Sequence, residues 1–84
     1  MYYTYVLQSE KDSGFYVGFT KDLKLRFEQH NGGQIDSTKN RRPLKIIYYE
    51  GCLNQADATK REKYLKTYNG KRFLHNRLKS YLTG

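Results

Sequence analysis

Residues 14–30, GFYVGFTKDLKLRFEQH, constrain the fold more than any other stretch, because a segment of period two runs directly into one of period 3.6. Over residues 15–19 the side chains alternate, so Phe15, Val17 and Phe19 share the expected core face while Tyr16 and Gly18 share the other. A short strand with an outward-looking Tyr16 is expected there. From about Lys21 the spacing is helical, with Leu23 and Phe27 as an apolar pair and Asp22, Arg26 and His30 at i, i+4 and i+8 as a polar stripe. Thr20 is the expected N-cap, and Asn31-Gly32-Gly33 the stop. Gly18, inside a strand, marks a place where another backbone or a ligand comes close. The spacing gathers Tyr16, Gly18, Arg26 and His30 in one place, which is the arrangement of a site as well as of a core.

Upstream, residues 2–9 alternate with β-prone side chains, placing Tyr3, Tyr5 and Leu7 on one face and Tyr2, Thr4 and Val6 on the other. The polar segment 10–14, ending in Gly14, has the length that joins two antiparallel strands, so the first two strands read as a hairpin. Residues 34–42 have no periodicity and three basic side chains, which predicts an exposed basic loop before Pro43. Residues 44–50 read as a third strand of the same sheet. Asn54 is placed to cap a helix over residues 55–68, with Ala58, Tyr64, Leu65 and Tyr68 as its buried stripe, and Asn69-Gly70 to break it. A last helix is expected over residues 71–82, packed through Leu74, Leu78, Tyr81 and Leu82.

Length and composition then narrow the function. A chain of 84 residues is one domain, 1–84, burying roughly 60–65% of its unfolded surface, so a large substrate lies on it and not inside it. Sixteen Lys and Arg against eight Asp and Glu give a net charge of +8, which favours polyanionic partners. The thirteen Tyr and Phe could stack on bases as well as fill a core. The single cysteine, Cys52, excludes an internal disulfide, and no Cys/His cluster has zinc-ligand spacing. The expected setting is reducing and cytoplasmic; the N-terminal residues do not read as a secretion signal, and no apolar run spans a membrane.

Glu62 is the odd member of its helix, since it projects between Ala58 and Leu65 at the edge of the apolar stripe. A carboxylate held there needs a partner. One reading is a salt bridge to Arg61, Lys66 or Arg26. The other is a hard-cation site, because Mg²⁺ accepts one or two protein carboxylates and completes its shell with water and substrate phosphate. Together with a basic surface, an outward tyrosine and an arginine, that carboxylate suits phosphodiester cleavage, which needs charge neutralisation on the phosphate, a metal at the leaving oxygen and a group to deprotonate water. Taken singly, each member has a plainer explanation: a strand tyrosine packs, a helix arginine is a surface charge, and His30 and His75 are polar surface groups.

The run Tyr3-Thr4-Tyr5, then Tyr16-Val17-Gly18, Asp22-Leu23, Arg26, His30 and Asn31, followed by Thr38, Arg42-Pro43, Glu50 and Ala58…Arg61-Glu62-Lys63…Lys66, resembles the GIY-YIG nuclease superfamily. The resemblance covers residues 2–66 and is closest to the small stand-alone single-domain members. It implies an α/β fold with a three-stranded antiparallel sheet flanked by helices, in the order β-β-α-β-α-α. It also implies a nuclease dependent on Mg²⁺ or Mn²⁺, with Glu62 as the metal ligand, Tyr5 and Tyr16 as the motif tyrosines, Arg26 as the phosphate-binding arginine and His30 as their support. Tyr16 is the residue such members are proposed to use on water. A phenol ionises near about 10, so that role requires a cation beside it. Tyr3 stands where the motif has glycine, Thr4 and Val17 where it has isoleucine, and Asn76 is the nearest candidate for an asparagine that some members carry on the last helix.

The expectation is therefore an endonuclease cutting DNA in preference to RNA, structure-specific and serving repair or recombination. Lys21, Lys24, Lys39, Arg41 and Arg42 are expected to contact the nucleic acid, and a protein partner to supply targeting. The alternatives are a nucleic-acid-binding module that does not cut and a partner-dependent interaction subunit.

Overall fold

Alternation along residues 2–9 calls for a sheet with two apolar faces, and the computed structural model, which describes residues 1–84, has one. Strand β1 (Tyr2–Ser9) lies between β2 (Phe15–Thr20) and β3 (Leu44–Cys52), antiparallel to both, in the order β2-β1-β3. Helix α1 (Leu23–Asn31) follows β2, and α2 (Gln55–Leu65), α3 (Tyr68–Arg77) and the short α4 (Lys79–Thr83) follow β3. No helix is long and apolar enough to cross a membrane. The expected α/β architecture and hairpin are present.

Successive residues of β1 feed opposite layers. Val6 joins Val17, Leu65 and Leu74 in one buried cluster beneath α2 and α3, with Phe15, Ile47, Tyr48 and Phe73 packed around it. Tyr5 and Leu7 join Leu44 in the other, against Leu23 and Phe27 of α1. Burying Leu65 and Leu74 contributes roughly 1.5–3 kcal/mol each. On the far side of α2, Arg61 pairs with Glu50 of β3 through two bonds of 2.9 Å while lying over the rings of Tyr64 and Phe73.

The α1 layer is pinned by polar bonds as well as apolar ones. Asn31 donates to the Leu44 carbonyl and accepts from the Leu44 N–H, both at 2.9 Å, so one side chain bonds the backbone of β3 as a neighbouring strand would. His30 is fully buried and bridges two elements: Nε2 lies 2.8 Å from the Tyr5 hydroxyl and Nδ1 lies 2.7 Å from Thr38 Oγ1. Thr38 Oγ1 has the Ile35 carbonyl as its further acceptor at 3.5 Å, which assigns the ring proton to Nδ1 and makes Tyr5 the donor to Nε2.

Several expectations change. Asp22, not Thr20, caps α1, accepting from the Leu25 N–H at 3.0 Å, while Thr20 accepts from the Asp22 N–H one step earlier. His30 is core, not a surface stripe, because it follows Leu23 and Phe27 at i+7 and i+3 on the face of α1 that packs on the sheet. Asn69-Gly70 does not break the chain: Thr67 accepts from the Gly70 N–H, so both residues lie in the first turn of α3. Gly70 is needed there because a Cβ would strike the backbone of Tyr64 and Leu65 where α2 and α3 touch. The reversal at Lys66 and Thr67 ends α2 early and leaves Tyr64 and Tyr68 exposed, at 40% and 75%, instead of in a buried stripe. The expected final helix is divided at Leu78. The loop over residues 34–42 contains a 3-10 turn, Lys39–Arg41, and a fully buried Thr38.

Burial, and then the nearby Arg26 cation, lower the His30 pKa from 6.5 to about 4. The unfolded chain takes up this proton near pH 6.5 and the folded chain only near about pH 4, so stability is fully present above 6.5 and falls as pH drops through that window. Urea unfolding between pH 7 and pH 4 is expected to show a loss on the order of 3 kcal/mol that His30→Gln, which does not titrate, lacks. Equal pH slopes for the two proteins would remove His30 as the cause.

Candidate active site

The register Tyr5↔Gly18 sets the first feature of the site. Both residues face α1, and the Tyr5 phenol lies across Gly18 so closely that a Cβ there would sit 2.5 Å from Tyr5 Cζ and closer still to the hydroxyl. The close approach anticipated at Gly18 is thus made by Tyr5. Next along β2, Tyr16 is half-buried and not fully outward; its ring meets the His30 ring edge-on at 5.0 Å and the Tyr5 ring at 6.5 Å. Burial raises the Tyr5 pKa, the Arg26 guanidinium opposes that rise, and the charge of Glu62 adds to it. Tyr5 is therefore held as a neutral phenol whose proton is directed at His30.

Arg26 sits one turn before His30 on α1 and lines a cleft of about 540 Å³ with Tyr2, Phe19, Lys21 and Gln29. Its Nε is buried and has no hydrogen-bond partner. A buried donor left unpaired costs roughly 1–3 kcal/mol, so the position calls for an acceptor from outside the chain. Glu62 approaches from α2 with a side chain only 22% exposed and is met by Lys66 Nζ at 3.3 Å. Of the salt bridges foreseen for Glu62, the Lys66 one forms; Arg61 is taken by Glu50.

The structure therefore brings Tyr5, Tyr16, Arg26 and His30 into one cluster and sets Glu62 within electrostatic reach of it. Lys21 borders the Arg26 cleft, and Lys24 borders a neighbouring one with Tyr3, Phe27 and Tyr49. The loop cations are engaged within the fold: Lys39 lies 3.5 Å from Asp36, Arg41 lies 3.6 Å from Asp12 and donates to the Phe15 carbonyl, and Arg42 donates to the Lys39 carbonyl at 2.7 Å. Asn76 is exposed on α3 and makes no side-chain hydrogen bond to the cluster. Two residues that the sequence reading named only in the family match or as a salt-bridge partner also contribute. Thr38 orients His30 from an aperiodic loop that carried no signal of burial. Lys66 was visible as the i+4 neighbour of Glu62, but its place beside Tyr16 in a cleft was not.

No three His, Cys, Asp or Glu side chains converge to form a metal cage. The donor set at Glu62 is a single carboxylate, which fits a hard cation that completes its shell with water and a phosphate and does not fit zinc. The arrangement can accept a phosphate at Arg26, orient a water or hydroxyl at the tyrosines and carry a cation at Glu62.

The model of the GIY-YIG catalytic domain family matches residues 1–82 of the chain. A UPF0213 protein of Staphylococcus saprophyticus is 38% identical over 69 residues, covering 81% of this chain and 83% of that protein. UPF0213 proteins of Staphylococcus aureus strains Mu3 and N315 are each 38% identical over 68 residues, covering 80% of this chain and 82% of theirs. No solved structure matches significantly. The sheet, the tyrosine pair and the match along nearly the whole chain agree: this chain belongs to the GIY-YIG family, whose catalytic domain implies nuclease activity in general.

Proposed function

We propose that the protein is a divalent-metal-dependent endonuclease that hydrolyses phosphodiester bonds in DNA. The observation that carries this reading is Arg26, a half-buried cation whose buried Nε has no partner, lining a cleft beside two tyrosines and a histidine on a chain of net charge +8. A scissile phosphate placed there would satisfy Nε and have its non-bridging charge neutralised as the transition state forms. Tyr16 orients the attacking water and takes up its proton. Tyr5 keeps its proton, because burial raises its pKa and His30 accepts from it; it serves as a fixed neutral donor beside the phosphate. Thr38 holds His30, and His30 holds Tyr5, so the tyrosine does not rotate away. Glu62 would hold Mg²⁺ or Mn²⁺, which when bound supplies Lewis-acid stabilisation at the leaving oxygen. Lys66 Nζ, 3.3 Å from Glu62 Oε2, directs the carboxylate along α2.

Glu62→Ala is expected to abolish cleavage of plasmid DNA in Mn²⁺ while retaining the fold and most DNA affinity, since it removes a cation ligand and not a phosphate contact. Cutting at the wild-type rate would end the metal assignment.

Tyr16→Phe keeps the ring packed against His30 and loses only the hydroxyl. Single-turnover cleavage is expected to fall by about 10²-fold or more with the melting temperature almost unchanged, and Arg26→Ala to be comparably severe. Because both groups serve one transition state, the double variant should be far less impaired than the product of the single losses. A Tyr16→Phe protein that cuts normally would return Tyr16 to a packing role.

A further inference from the structure

The charge of this chain is not spread evenly. Residues 55–84 hold eight Lys and Arg against two Asp and Glu, a balance of +6 within a total of +8. Of those eight cations, only Arg61 and Lys66 have a carboxylate partner. The loop singled out by the sequence is the opposite case, since Lys39 and Arg41 each face an aspartate and Arg42 is bonded to backbone. Uncompensated cations repel one another and lower the stability of the compact chain, so their presence on α2, α3 and α4 favours a polyanion facing them.

One of the unpaired cations, Lys71, lies in a defined geometry with the paired Lys66 and with His75. Lys66 at the end of α2, with Lys71 and His75 on α3, rims a cleft of about 440 Å³ whose opposite wall is the hairpin and start of β2. Its floor is apolar, built from Phe15 and Leu74, and His75 stacks on Phe15 with ring centroids 5.3 Å apart. Tyr16 lines the same cleft, as β2 is an edge strand with no neighbour beyond it. The cleft is thus continuous with the candidate active site on the side away from Arg26, and an elongated anion crossing Tyr16 would enter it.

We propose that this cleft is a second phosphate-backbone site, in which Lys71 and His75, with Lys66, hold the substrate strand on the α2–α3 side of Tyr16 while Arg26 holds it on the α1 side. The occupant is a phosphodiester backbone, read through charge and not through base edges, and the inference rests on the nuclease reading above. Lys71 and His75 are binding residues, set apart from the cluster that does the chemistry.

The test is binding of a fluorescent DNA duplex, and of its single strand, over a salt series with chelator present so that nothing is cut. Lys71 is exposed, so Lys71→Ala leaves the fold intact. Removing it should lower the slope of log affinity against log salt by about one unit on duplex, whereas Lys11→Ala, which removes the same charge from the hairpin loop, should leave the slope unchanged. In multiple-turnover cleavage with Mn²⁺, Lys71→Ala should raise KM by about tenfold and keep kcat, as expected for a contact made equally in ground and transition states. A Lys71→Ala slope equal to wild type overturns the track and leaves the nuclease reading intact. The reverse result, a lowered slope in a protein that cuts no substrate, upholds the track and overturns the nuclease. Failure of the wild type to bind either form of DNA overturns both.

Discussion

The hydrogen-bonded series Tyr5, His30, Thr38 is the interaction on which the rest of this structure depends. It links the central strand, the helix that follows the hairpin and the loop before β3 through one buried imidazole. A neutral histidine in that position satisfies a phenol on one nitrogen and a hydroxyl on the other, so three polar groups are buried without an unpaired atom among them. The same series fixes where the Tyr5 ring can lie, and that in turn demands glycine across the ladder at position 18. Core packing and site geometry are therefore one constraint, not two.

What could be read from the sequence was the part governed by local period. Alternation over residues 2–9 and 15–19 gave the hairpin and its faces, and the spacing of Leu23 and Phe27 gave the sheet-facing side of α1. The residues of the candidate site were visible through their spacing and the family resemblance. What could not be read were relations across long separations. His30 has the same composition signal whether it lies on a surface stripe or under a strand, and only its two partners, 25 and 8 residues away, decide between them. Gly70 is a break signal in isolation and a contact residue in fact, because the helix it must clear lies one turn back in the chain. Tyr64 and Tyr68 fit a helical stripe that Thr67 interrupts.

The two tyrosines of the candidate site differ in burial. Tyr5 is fully buried, which raises its pKa, and the half-buried Tyr16 is the one that reaches a cleft. Two phenols of identical intrinsic acidity are thus placed in different surroundings. Arg26 acts on this pair from one side, depressing the basicity of His30 as it opposes the rise in Tyr5, so that a single cation tunes both ends of the hydrogen bond between them.

The open edge of β2 has a consequence beyond substrate access. A sheet whose outermost strand lacks a neighbour offers the same row of backbone groups to any extended chain, including another copy of this one. Here one carbonyl of that strand, at Phe15, is already taken by Arg41, and the strand is only six residues long. The lysines beside it on α2 and α3 would confront their own counterparts in an edge-to-edge pair. The same cations would therefore oppose the joining of two sheets edge to edge, and neutralising them would carry a penalty in colloidal solubility.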